Sequence, residues 1–248
     1  MSRQPLSVQL YTVRDALAAD LPGTLSRLAE IGYRDVELFG FVDRVEELEQ
    51  GLAAAGLRAP SGHAPLVDAE DPAPAFRAAA RLGLETIIDP FIPAERWETR
   101  EQVEQTAARL VELAPQAAEH GLRLGYHNHA WELSSRIDGT PALEVLADLL
   151  GDAVVLEVDT YWAAVGGVDA PELLLRLGER VTHLHIKDGD LSHDNEAQVA
   201  VGTGAMDVPA VLAAAPSAQP VAELDDTRGD VFQALIDSYD YLESGVRP

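Results

Sequence analysis

Short aliphatic runs and longer stretches of helical period alternate along the 248-residue chain. Leu6 to Val13 is predicted as strand one. Leu25, Leu28 and Ile31 then recur at helical spacing and stop at a glycine, Gly32. Asp35 to Phe39 reads as strand two, Val45 to Gly56 as a helix, and Leu57 to His63 as strand three. The pair Asp71-Pro72 starts a helix that runs to Leu82-Gly83, and Leu84 to Pro90 is strand four. Thr99, with Gln102 three residues on, opens a long helix to His120-Gly121, and Pro115 is expected to kink it or end a segment. Strands five to eight are Leu122–His127, Val154–Val158, Val181–Ile186 and Val221–Leu224. Helices follow them at Pro141–Leu150, Pro171–Leu177, Val208–Ala215 and about Asp230–Leu242. Eight strand–helix pairs with no linker-like break predict an α/β protein of one domain, residues 1–248. A single closed (β/α)8 TIM barrel fits that count better than an open doubly wound sheet.

The last four strands end in residues that carry chemistry. Leu122-Arg-Leu-Gly-Tyr-His-Asn-His-Ala-Trp-Glu132 passes from an apolar run into His127, Asn128, His129 and Glu132, and later strands close on Asp159, His185 and Glu223. The separations from His127 to Asp159, His185 and Glu223 in turn are 32, 26 and 38 residues. A barrel of this size allots about 31 residues to each unit, and its functional groups sit at the carboxyl ends of the strands. The four residues are therefore expected at neighbouring strand mouths, facing one point. Only one of His183 and His185 is expected to face inward, and His185 is chosen because Asp159 and Glu223 close their strands in the same way. His183 is read as a packed or hydrogen-bonded histidine. His127, His129 and Glu132 all remain candidates for the strand-five ligand. Imidazole and carboxylate without thiolate suit one divalent ion, Mn, Co, Zn, Mg or Fe, rather than a structural zinc.

Other strand ends supply Gln9, Tyr11, Glu37 and His63, and Lys187 and Asp188 follow strand seven. Trp131, Tyr161 and Trp162 are expected as pocket walls or an interface. Val201-Gly-Thr-Gly204 has the look of a phosphate-cradling turn, a weak signal with two glycines. His120 and His193 are read as surface residues. The chain has no cysteine, which excludes disulfides, thiolate metal sites and a cysteine nucleophile. Its net charge of −24, from 42 acidic and 18 basic residues, opposes unaided binding to nucleic acid. No leader-like or bilayer-length apolar run is visible, so no membrane association is expected and the cytoplasm is the expected compartment. A homo-oligomer is compatible with the sequence.

Taken together, Gly125-Tyr-His-Asn-His-Ala-Trp-Glu132, Glu157-Val-Asp-Thr-Tyr-Trp162, His183-Leu-His-Ile-Lys-Asp188, Val201-Gly-Thr-Gly-Ala-Met-Asp207 and Val221-Ala-Glu-Leu-Asp225 resemble the sugar phosphate isomerase/epimerase family. This family belongs to the xylose-isomerase-like barrel superfamily, with inosose dehydratase and endonuclease IV. The resemblance runs in order over essentially the whole chain. It implies one divalent metal held by Glu, Asp, His and Glu from strands five to eight. Asp159, His185 and Glu223 match three of these. At the first position His127 stands where many relatives have Glu, with Glu132 five residues on, and the ligand is one or the other. Trp162 stands where ketose epimerases carry a histidine, and the additional histidines of endonuclease IV are absent, which argues against DNA repair.

The expected activity is proton transfer on a sugar, keto-sugar or cyclitol through an enediolate, giving isomerisation or epimerisation. Glu223 or Glu132 would move the proton, with His129 as a second acid/base. Gln9, Glu37, His63, Trp162 and Lys187 would meet a small polyhydroxylated substrate. Loss of a β-hydroxyl from the same intermediate would make the enzyme a lyase of the inosose dehydratase or 3-keto-glycoside type. A phosphodiester hydrolase is the weaker rival, since it would need extra histidines and a basic groove.

Overall fold

The structure, a computed structural model, describes residues 4–246. Eight parallel strands close into a barrel: β1 (Ser7–Gln9), β2 (Asp35–Phe39), β3 (Arg58–His63), β4 (Thr86–Asp89), β5 (Arg123–His127), β6 (Val155–Asp159), β7 (Val181–Ile186) and β8 (Gln219–Ala222). Each pairs with its neighbours in sequence, and β1 closes the ring against β8. The predicted barrel is therefore correct. No helix among the described residues is long and apolar enough to cross a membrane.

The outer shell follows the hydrophobic pattern. In α2 (Leu21–Ile31), Leu25 and Leu28 are buried, and in α5 (Arg100–Glu119) Val103, Ala107, Leu110 and Leu113 line one face. Side chains three and four apart share a face, so each helix lays an apolar stripe on the strands. Thr99 and Gln102 form the expected capping box at the start of α5. Pro115 neither ends nor splits α5. The carbonyl of Val111, which loses its donor there, belongs to a residue 39% exposed, so water can serve it.

Strand one is shorter than predicted. After Gln9 the chain turns into a 3-10 segment, Leu10–Val13, because the Gln9 side chain accepts from the Tyr11 amide and caps the turn. Two short elements were not legible in the pattern: α6 (Trp131–Ser134) after β5 and α8 (Thr160–Val165) after β6. A small antiparallel hairpin, residues 136–141, follows α6.

The barrel lumen is unlike the apolar interior usual for this fold. Ser7, Gln9, Glu37, Ser61, Thr86, His127, Glu157, Asp159, His183, His185 and Glu223 are all buried. His183 faces inward as His185 does, one layer deeper, and Thr182 contacts its Nδ1 at 2.9 Å. The expectation that only one of the pair turns inward fails because residues two apart on a strand share a face.

Candidate metal centre and catalytic cavity

Two polar layers are stacked in the lumen. The lower one contains Gln9, Glu37, Ser61, His63 and Glu157. Gln9 Nε2 donates to Glu37 Oε1 at 2.8 Å, and Ser61 Oγ donates to Glu37 Oε2 at 2.5 Å. His63 Nε2 lies 2.7 Å from Glu157 Oε2 and 3.1 Å from Glu37 Oε1. Burial works against a charged His63, but the Glu37 and Glu157 carboxylates outweigh it and push its pKa up to about 10. A protonated imidazole thus separates two buried carboxylates.

This lower layer orients the upper one. His127 places Nδ1 3.0 Å from Glu157 Oε2, leaving Nε2 at 4.0 Å from Asp159 Oδ2. His185 places Nε2 2.7 Å from Glu37 Oε1, leaving Nδ1 at 2.5 Å from Glu223 Oε2. A carboxylate behind an imidazole fixes its ring and aims its other nitrogen, the usual support for a metal-binding histidine. Asp159 is held from two sides. Its Oδ1 accepts from the Trp162 amide and caps α8, and its backbone amide donates to Asn128 Oδ1 at 3.1 Å. Its Oδ2 is left free of the cap.

One ligand atom each from Asp159, His185 and Glu223 lies within 4.8 Å of the others. Asp159 Oδ2, His185 Nδ1 and Glu223 Oε2 are buried and make no hydrogen bond of ordinary geometry. Buried polar atoms are rarely left so, and three of them facing one point is the arrangement that fits a divalent ion. His63, His127, Glu157 and His185 also gather within the same limit, but there His63 Nε2, His127 Nδ1 and His185 Nε2 contact the Glu157 and Glu37 carboxylates, and Glu157 Oε1 alone is unpaired.

Lys187 is almost fully buried beside the three atoms. Its Nζ lies 2.9 Å from Asp159 Oδ2, 2.9 Å from Glu223 Oε2 and 2.8 Å from Asp225 Oδ2. The first two contacts are ion pairs without hydrogen-bond direction, and the third is a true hydrogen bond. Burial disfavours its charge, but Asp159, Asp225 and Glu223 hold its pKa well above the usual lysine value. Burial would likewise raise the pKa of Glu223, yet Lys187 and His185 hold it well below the usual range.

Glu132 does not join the group. Its Oε1 accepts from Tyr126 Oη at 2.6 Å and its Oε2 from the His129 amide at 2.9 Å, and it is absent from the cavity wall. Burial raises its pKa to about 8. Of the two strand-five candidates, His127 borders the cavity with its Nε2 4.0 Å from Asp159 Oδ2, whereas Glu132 anchors the turn that presents His129. Burial, with His127 and Lys187 adding to it, lowers the His129 pKa to about 2, so its ring is neutral.

A cavity of about 580 Å³ opens above this cluster. His63, His127, His129, Trp162 and Glu223 line it, whereas Gln9 and Glu37 lie fully buried beneath and do not reach it. Trp131 and Trp162 are walls as expected, Tyr11 of the strand-one end joins them, and Tyr161 is buried behind. His193 is exposed, as read, yet it too borders the cavity and lies 6.2 Å from Trp162, ring to ring. Sequence reasoning missed Glu157, Ser61, Gln198 and Asp225. Asp225 accepts from Lys187 and from Gln198 Nε2 at 2.7 Å, and its amide donates to Gln198 Oε1 at 2.8 Å. The glycine turn at 201–204 cradles an internal carboxylate, not a phosphate. The amides of Gly189, Gly202, Gly204 and Met206 all donate to buried Asp188 at 2.9–3.0 Å. A Cβ on Gly204 would stand 2.2 Å from Asp188 Oδ1, so only glycine admits that approach.

The profile of the xylose isomerase-like TIM barrel family matches residues 25–216. The chain belongs to this family. It is 27% identical over 138 residues, half of its length, to the rhizopine catabolism protein MocC of Rhizobium meliloti. It is 33% identical over 95 residues, 38% of its length, to an inosose dehydratase of Clostridium perfringens. These matches span only 40% and 29% of the two relatives. Among solved structures, a sugar phosphate isomerase/epimerase from Parabacteroides distasonis superposes with a TM-score of 0.83 at 24% identity, covering 99% of this chain and 95% of that one. A xylose isomerase-like barrel protein from Mycobacterium smegmatis in complex with magnesium gives 0.72 at 16% identity, covering 99% and 98%. At these identities the likeness to both structures is one of fold.

Proposed function

We propose that the protein is a divalent-metal-dependent isomerase or epimerase that moves a proton on a sugar, keto-sugar or cyclitol through an enediolate. The observation that carries this reading is the convergence of Asp159 Oδ2, His185 Nδ1 and Glu223 Oε2, buried and without directed hydrogen bonds. His127, Asp159, His185 and Glu223 are the residues that hold the ion. When bound, a divalent ion such as Mn, Co, Zn, Mg or Fe supplies Lewis acidity to adjacent substrate oxygens.

The protein's own groups do the rest. Glu223, kept ionised by Lys187 and His185, lines the cavity floor and takes the proton. His129, neutral because buried, lines the same cavity and serves as the second acid/base group. Lys187, which does not reach the cavity, acts on Asp159, Glu223 and Asp225 as their shared cation instead of meeting a substrate oxygen. Trp162 and Trp131 exclude water from the reacting carbon. Gln9, Glu37 and His63 act one layer down, as supports for His127 and His185.

Metal analysis of the purified protein, followed by deuterium wash-in from heavy water with a panel of ketoses, inososes and keto-glycosides, tests the reading. Deuterium should enter next to the carbonyl and stop doing so after chelation. Absence of wash-in with every member of the panel would remove the proposal. The local match to inosose dehydratase favours a second reading, in which the same intermediate loses a β-hydroxyl. Its product is an unsaturated ketone and water instead of an epimer, so mass spectrometry separates the two.

A further inference from the structure

The cavity has more apolar wall than transfer of one proton on one ring requires. Its volume of about 580 Å³ lies within the range of about 300–1,000 Å³ found for sites that enclose drug-sized ligands. The floor, with His127, Glu223 and Asp225, is polar. The walls above it are rings. Tyr11 and Phe39 meet edge to face at 5.4 Å, and His129 stacks on Trp131 at 4.3 Å with planes 5° apart. Phe91 stands edge-on to both of the latter at 5.5 Å. Phe91 is 53% exposed and Tyr11 39%, although both border the same cavity. Large exposed rings gathered at one cavity mouth mark a contact surface.

Charge narrows the ligand further. Among the described residues, no lysine or arginine lines the cavity, while Glu223 and Asp225 do. Lys187 is spent on three carboxylates. Arg14 sits over the Tyr11 ring at 4.4 Å, but its guanidinium bonds the Asp225 and Tyr11 carbonyls. A phosphate on the substrate would meet carboxylates without a free cation.

We propose that the substrate is a neutral glycoside with two rings. The polyol ring that reacts rests on the polar floor, and the ring across its glycosidic bond stacks on the shelf formed by Phe91 and Trp131. The apolar faces of sugar and aryl rings both suit aromatic partners. The choice of reacting ring rests on the proton-transfer reading above, but the shelf does not.

Equilibrium binding of unreactive ligands to the metal-loaded protein tests it. Methyl and phenyl glycosides of glucose, galactose, mannose and xylose, with cellobiose and glucose 6-phosphate, form the panel, read by tryptophan fluorescence and calorimetry. For at least one sugar, the phenyl glycoside should bind about tenfold tighter than the methyl one. Phe91→Ala should remove that advantage and leave methyl-glycoside affinity unchanged, whereas Phe91→Tyr should keep it. Equal binding of phenyl and methyl forms throughout, failure of both to bind, or tighter binding of the 6-phosphate than of methyl glucoside would each overturn the proposal. Because none of these ligands turns over, the outcome is separate from wash-in: a ring preference without deuterium incorporation would spare the shelf and sink the proton transfer.

Discussion

The two polar layers of the lumen are built from the same residue types but leave their atoms in different states. In the lower layer both oxygens of Glu37 are taken, by Gln9 and by Ser61, and His63 bridges to Glu157. In the upper layer Asp159, His185 and Glu223 each keep one buried atom without a directed hydrogen bond. Folding gains nothing from an unsatisfied buried acceptor, which costs about 1–3 kcal/mol. The lower layer reads as support and the upper one as equipment. Glu157 Oε1 of the lower layer is unpaired as well, so what separates the two is that the unpaired atoms of the upper layer converge as a set of three.

Substitutions can break that comparison, and the largest effect belongs to the upper layer. Asp159→Ala should abolish stoichiometric metal in elemental analysis and cut deuterium wash-in by about a thousandfold, the order expected when a group stabilising developing charge is lost. Retention of both would move the ion elsewhere. Lys187→Met should be next. It leaves Asp159, Glu223 and Asp225 crowded without their shared cation, and breaking a buried ion pair from one side costs about 3–5 kcal/mol. Denaturant melts in chelator should show this loss, and saturating metal should return part of it.

In the lower layer the expected effect is smaller and indirect. Glu157→Gln or Glu37→Gln should weaken metal affinity by about 10–100-fold, measured by competition with a chelating dye, while leaving a cooperative fold. No change would demote these carboxylates to filler. A last effect, read in stability against pH and not in metal binding, concerns Glu132, whose pKa rises from an ordinary carboxyl value to about 8 on burial. A raised carboxyl pKa means that the folded protein binds the proton more tightly. Its stabilising contribution is complete below about pH 4.5 and is lost as pH climbs through 8, at about 1.4 kcal/mol per pH unit. Glu132→Gln should flatten the stability profile over that window by this slope.

Much of this was legible in the sequence. Eight alternating units announced the barrel, and the strand-end positions of Asp159, His185 and Glu223 announced the cluster, because the functional groups of such a barrel sit at the carboxyl ends of its strands. Glu157 was overlooked although it sits two residues before Asp159 and shares its face, and His183 was misread by the same slip of period two. Gln198 and Asp225 are 27 positions apart, with a helix and β8 between them, and only the fold brings them together. Glu132 looked like a ligand from spacing alone. Only the fold of α6 shows its carboxylate turned back onto Tyr126.

The buckle at Asp188 has a consequence for how this barrel can change. Four amides, from both ends of the segment 189–206, close on one carboxylate adjacent to Lys187. The stretch between them is fastened a second time by Gln198, which pairs with Asp225, the hydrogen-bond partner of Lys187, and His193 on the cavity rim lies between the two fastenings. A change of length between 198 and 206 would therefore be felt at the lysine through Asp225, so new ligand preferences are best grafted by exchanging side chains around His193 at constant length.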